Sequence, residues 1–121
     1  MASDTPANKP WWRAEKNDEY WFIDGKTGSS VTKEKDGYAD KLRHQNHNYF
    51  RDISSTILYR DFMKATTEAM VCDGKYTILA DGKVEFDQKY PASLRFDSDS
   101  EAKSFVRLRK EYVAMLRRHF R

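Results

Sequence analysis

A single cysteine, Cys72, stands among the 121 residues of the chain, which excludes an internal disulfide and fits a reducing compartment. No apolar run approaches the roughly 18 residues that a transmembrane helix requires. Residues 1–10, MASDTPANKP, lack the apolar stretch of a signal peptide. These absences lead to the expectation of a soluble, cytoplasmic protein with no membrane partner. Wholesale disorder is excluded as well, because apolar residues make up 39% and aromatics 14% of the chain, enough to build a core. Charged residues reach 34% and mean hydropathy is −0.91, so much of the polar load must sit on a solvated surface. The length suits one domain and leaves no room for two cores of ordinary size.

The net charge of +3 is too small to imply nucleic-acid binding by itself, but its distribution is uneven. Residues 103–121 hold Lys103, Arg107, Arg109, Lys110, Arg117, Arg118 and Arg121 against Glu111 alone. That segment therefore carries +6, which leaves −3 for residues 1–102. Such polarity is a signal for an acidic partner.

Along the chain, residues 1–10 hold two of the three prolines and read as a disordered arm, with one globular domain over 11–121. Residues 11–14 read as a short strand turning at 15–18. Residues 19–24, EYWFID, are dense in aromatic and β-branched side chains and predict a strand. The turn at 25–28 leads into a return strand over 29–33. Residues 38–50 fit either one short helical turn or an ordered loop. Over 53–71 the stripe Leu58, Phe62, Ala65 and Ala69 predicts a helix, capped by Asp52 or Ser54 and followed by Gly74 at the position of a C-terminal cap. Asp81-Gly82 separates strands at 75–80 and 83–87 as a two-residue type I′ turn. Pro91 closes the strand region, and residues 94–96 suggest a short third strand. Ser98-Asp99-Ser100-Glu101 is a capping box before a last helix whose stripe is Ala102, Phe105, Val106, Tyr112, Val113, Leu116 and Phe120. The expected class is α+β: a small antiparallel sheet of two hairpin or meander units packed against two helices. The order strand, turn, strand, link, helix recurs in 19–71 and 75–121, so a two-fold duplication is one reading.

Chemistry is harder to find than structure. Gly25-Lys26-Thr27 echoes a phosphate-binding loop, but that motif needs a glycine where Tyr20 stands and a helix after it. His44 and His47 share a helical spacing, yet zinc needs three or four ligands, and only Asp40 and the distant Cys72 could join them. Cys72 after Met70-Val71 reads as a small residue at a helix end rather than a nucleophile with a histidine base. No catalytic residue, metal or cofactor is expected. Trp11, Trp12, Tyr20, Trp21 and Phe22 crowd one window; part of this cluster must form core, and a leftover Trp11 or Trp12 could anchor a partner or stack a base.

Asp40, Arg43, Asn48 and Phe50 resemble a segment of small phage and prophage proteins. There a hydrophobic strand such as Tyr20-Trp21-Phe22-Ile23 precedes Asp-x-x-Arg-x-x-x-Gly-Asn-x-Phe. His47 stands where that pattern has glycine, and its Thr-x-x-Glu-Glu-Ala helix start is missing after Phe50. The resemblance implies a viral or mobile-element accessory protein and transfers no catalytic residue. The functional expectation is a non-enzymatic binding protein that inhibits a host defence system, anti-CRISPR-like, by occupying a host protein or ribonucleoprotein complex. Its candidate contact residues are Trp11, Trp12, Arg107, Lys110, Arg117, Arg118 and Arg121. The alternative is a small nucleic-acid-binding protein using the same basic helix and exposed tryptophans.

Overall fold

Alternating aromatic and β-branched residues place β1 at Glu19–Asp24, paired antiparallel with β2 at Gly28–Lys33 in the register Tyr20–Thr32 and Asp24–Gly28. The computed structural model describes residues 9–26, 28–86 and 94–120. The segment 38–50 resolves into α1 (Tyr38–Gln45) and a loop that returns to the sheet. Asp40 starts this helix: its Oδ2 accepts from the Gly37 and Lys35 amides at 3.1 and 3.0 Å. α2 spans Ile53–Val71, and of the two candidate caps Asp52 is used, its Oδ1 accepting from the Ser55 amide at 2.8 Å.

β3 (Tyr76–Ile78) and β4 (Val84–Phe86) pair antiparallel, and α3 runs from Asp99 to His119. Ser98 caps α3, its Oγ accepting from the Glu101 amide at 3.2 Å. The α+β class holds, with two separate two-stranded sheets and three helices among the described residues, in place of one sheet and two helices. Two short strands expected from the sequence shrink to single bridges, Trp11 with Phe120 and Phe96 with Tyr76. The hairpin at Gly82 also differs from a two-residue type I′ turn. The Gly82 amide bonds Leu79 O and the Leu79 amide bonds Lys83 O, leaving three loop residues of which only Gly82 takes positive φ, 89°. That is the pattern of a type I turn closed by a left-handed glycine. Asp87 and Pro91, like residues 1–8 of the expected arm, lie outside the described residues.

The chain divides into two compact units, the described parts of Met1–Ile57 with Val113–Arg121, and Leu58–Tyr112. In the second, Ala69, Phe96, Ala102 and Phe105 form the buried cluster, joined by Phe62 and Tyr76. Phe62 stacks on Phe105 at 5.4 Å and on Tyr112 at 4.3 Å. Burying each such ring stabilises by roughly 1.5–3 kcal/mol. Gly74 serves this packing in a way unlike the expected cap: it is not among the residues with positive φ, but a Cβ there would lie 2.0 Å from Phe96 O. In the first unit the bulkiest fully buried side chains among the described residues are Tyr20, Tyr49, Phe50, Met115 and His119. Met115 and His119 turn the buried face of α3 one step from the expected stripe, leaving Val113, Leu116 and Phe120 half-buried.

Candidate functional site

Residues of one helix lie about 100° apart around its axis, which places Lys103, Arg107 and Lys110 on one side of α3 within the second unit, away from the buried Phe105. Arg117 and Arg118 stand side by side in the part of α3 that belongs to the first unit, away from the buried Met115 and His119. Arg107, Lys110, Arg117 and Arg118 are all exposed. Lys103 is compensated by Asp99 at 2.8 Å, and Arg107 Nη2 donates to Ser104 Oγ at 3.1 Å. Among the described residues no ion pair holds Lys110, Arg117 or Arg118. Arg117 and Arg118 fall in the last turn, where the helix dipole favours a cation by about 0.3–1 kcal/mol. Arg121 lies outside the described residues.

The tryptophans part company. Trp11 is 5% exposed, with its Nε1 donating to Tyr49 O at 2.5 Å and its ring stacked on His47 at 4.6 Å and His119 at 4.9 Å. It is core, which corrects its assignment as a contact residue: its surface is already spent on neighbours in the fold. Trp12 is half-buried, with the Arg51 guanidinium 5.3 Å over its ring.

The three histidines are structural in their bonding. His44 Nε2 donates to Trp11 O at 2.9 Å. His47 holds φ of 58°, in the left-handed region, at the position where the phage pattern has glycine. His119 Nε2 accepts from the Arg51 amide at 3.0 Å, so the proton belongs on Nδ1, which donates to Met115 O at 3.0 Å. Burial pushes the His119 pKa down, against the opposing pull of Met115 O and Asp52, so the ring is held neutral. Among the described residues no three His, Cys, Asp or Glu side chains are placed to hold a metal.

Asp40, Arg43, Asn48 and Phe50 do gather, around β1. Asp40 is 6% exposed and accepts from Tyr20 Oη at 2.5 Å, while Arg43 donates to the same oxygen at 2.9 Å and lies 3.8 Å over the Phe22 ring. Asn48 clasps both backbone groups of Ile23, at 2.7 and 3.0 Å, and the Phe50 backbone pairs with Trp21. Together they dock the 46–50 loop on the free edge of β1. A second buried pair lies alongside, with Tyr49 Oη donating to Glu34 at 2.7 Å and Arg13 bound to Glu34 at 3.1 Å. Burial works to raise both carboxyls, yet the hydrogen bonds of Arg13 and Tyr49 to Glu34, and of Tyr20 and Lys35 to Asp40, hold each below the usual range. Desolvation, with the bond to Asp40, pushes Tyr20 up to about 12. Ionised acids facing protonated phenols hold this network together near neutral pH. Glu34 and His119 escaped the sequence reading; the one available signal was the spacing of His119 four residues beyond Met115.

No family model matches the chain, and neither the curated proteins nor the solved structures hold a match to it. The site therefore rests on its own geometry. Gly25-Lys26 closes the β1–β2 hairpin, with Asp24 Oδ1 accepting from the Lys26 amide at 2.8 Å, and β2 rather than a helix follows it. Cys72 bonds Gly74 N and Asp97 at 3.3 and 3.4 Å. The Gly74 amide favours its thiolate, but desolvation and Asp97 outweigh it and push the thiol up.

Proposed function

We propose that this is a non-enzymatic binding protein that covers an acidic surface of a host protein or ribonucleoprotein complex with the exposed cations of α3. The observation that carries the reading is the exposure of Arg107 and Lys110 in the second unit and of Arg117 and Arg118 in the first, all along α3. Among the described residues, the only ion pair made by a cation of α3 is Lys103 with Asp99. Such cations steer an acidic partner into register and speed encounter. The phage or mobile-element origin, and with it the anti-CRISPR-like inhibition of host defence in the host cytoplasm, rests on the resemblance at Asp40, Arg43, Asn48 and Phe50. Those four residues act in the fold, so they support kinship rather than mechanism.

A small nucleic-acid-binding protein remains the second reading, carried by the same cations. The burial of Trp11 weighs against it, because a stacking platform needs an open ring face. A salt titration separates the two. The protein reading expects weak, non-saturating binding to duplex and single-stranded DNA and RNA near physiological salt, and capture of a defined host complex. Tight nucleic-acid binding with a steep salt slope, and no captured protein, would replace the first reading with the second.

A further inference from the structure

A groove of about 510 Å³ opens within the second unit, on a flank of α3 other than the basic one. One wall is the face Ala65, Glu68 and Ala69 of α2 with Cys72 just past its end, and the other is Ser100, Glu101, Ser104 and Leu108 of α3. Alanine and serine at the facing positions keep these walls low, and Phe96 and Phe105 form the floor. The seven steps from Ala65 to Cys72, the residue just past the end of α2, measure about 10 Å along the axis, the length of two helical turns of an occupant.

The rim gives the occupant its charge. Glu68, Asp97 and Glu101 border the groove against one cation, Arg95, whose Nη1 is turned to Gly74 O at 3.5 Å. Among the described residues no ion pair compensates any of the three acids. Lys103, the nearest lysine along α3, is held by Asp99 at 2.8 Å. Three carboxylates around an apolar floor, on a chain whose net charge is +3, form a local field opposite to that of the whole molecule.

We infer that this groove takes a cationic amphipathic helix of a partner protein. One or two aliphatic side chains at i, i+4 spacing would sit over Phe105 between the Ala65–Ala69 and Ser100–Ser104 walls, and flanking lysines or arginines would reach Glu68, Asp97 and Glu101. An acidic helix would meet three carboxylates there, against Arg95, turned to Gly74 O, and Arg107, which donates to Ser104 Oγ of the groove wall.

The test uses the full chain and two synthetic peptides of about four helical turns, one with leucine every third or fourth position and lysine between, the other with glutamate for each lysine. The Leu/Lys peptide binds saturably, and about tenfold or more tighter than the Leu/Glu peptide, although the net charge of the protein opposes it. Its binding slows alkylation of Cys72, the chain's sole thiol, which lies in the α2 wall. Glu68→Lys with Glu101→Lys, both exposed positions, weakens binding about tenfold or more. Ser104→Trp, also exposed, fills the groove and abolishes binding while circular dichroism stays that of the parent. Equal affinity for the two peptides, or a Glu68/Glu101 variant that binds as the parent does, overturns the charge assignment. Binding that leaves Cys72 alkylation unchanged, or that survives in a folded Ser104→Trp variant, overturns the location.

Discussion

Each of the two units is stabilised internally by its own chemistry. The first relies on buried polar groups: Glu34 and Asp40, each with a tyrosine and an arginine, Asn48 on the edge of β1, and neutral His119 between Arg51 and Met115. No buried side-chain nitrogen or oxygen among the described residues is left without a partner. The second relies on a small aromatic stack and a close backbone approach at Gly74, while exposed apolar side chains occur in both, among them Tyr38 and Ile53 in the first and Met70 and Val71 in the second. Beneath this contrast runs one shared device. Phe50 bridges β1 two residues before the Asp52 cap of α2, as Phe96 bridges β3 two residues before the Ser98 cap of α3. The same local solution supports a polar lock in one unit and an aromatic stack in the other. Fully satisfied polar networks specify a single arrangement, whereas an apolar core is held by ring burial and close packing.

The largest effect belongs to the second unit. Gly74→Ala must push apart backbone that now stands 2.0 Å from the new Cβ, and we expect a loss of about 3 kcal/mol or more, insensitive to salt and pH, by denaturant unfolding. A loss below about 1 kcal/mol would mean that the close approach is dispensable. In the first unit, Glu34→Gln keeps the shape but strips the charge that Arg13 and the Asp36 amide use. Because Arg13 is itself 36% exposed, solvent screens the pair, and the expected cost is about 1–3 kcal/mol. A neutral outcome would reduce the network to decoration.

The two chemistries should also separate by pH. The folded state lowers the pKa of His119, through desolvation first, and of His47 likewise. The unfolded chain therefore takes up protons that the folded chain refuses once pH falls below about 6.5. Stability is full above that value and declines as pH falls through it, by no more than about 1.4 kcal/mol per pH unit for one proton. His119→Gln should flatten the part of the slope due to this ring; an unchanged slope would assign it to His47. Smallest is Gly82→Val in the second unit, about 1 kcal/mol, since a β-branched residue resists φ of 89°, and its cost should not vary with pH.

What the sequence made legible was local. The span of α2 could be read from Leu58, Phe62, Ala65 and Ala69, and the start of α3 from Ser98, because periodicity and capping act within a few residues. Trp11 could not be placed, because its burial depends on Tyr49, 38 residues away, and on His119. The rotation of α3 was hidden for the same reason: a polar His119 is buried by an amide on Arg51, 68 residues earlier. Gly74 was found but misread, since a cap and a close approach ask for the same residue. The basic charge of α3 was visible in composition alone, because charge excess does not depend on knowing the partner strand or helix.

The proposal that α3 binds through cations the fold does not use can be tested in one variant. Arg107→Glu, Lys110→Glu and Arg117→Glu together change the net charge by −6, from +3 to −3. Each exposed change should cost about 0.5 kcal/mol or less. Melting temperature and partner association, measured side by side, decide the matter. The account predicts a folded protein that no longer associates, with the deficit greatest at low salt, where the attraction was strongest. A folded variant that captures its partner as the parent does would contradict it.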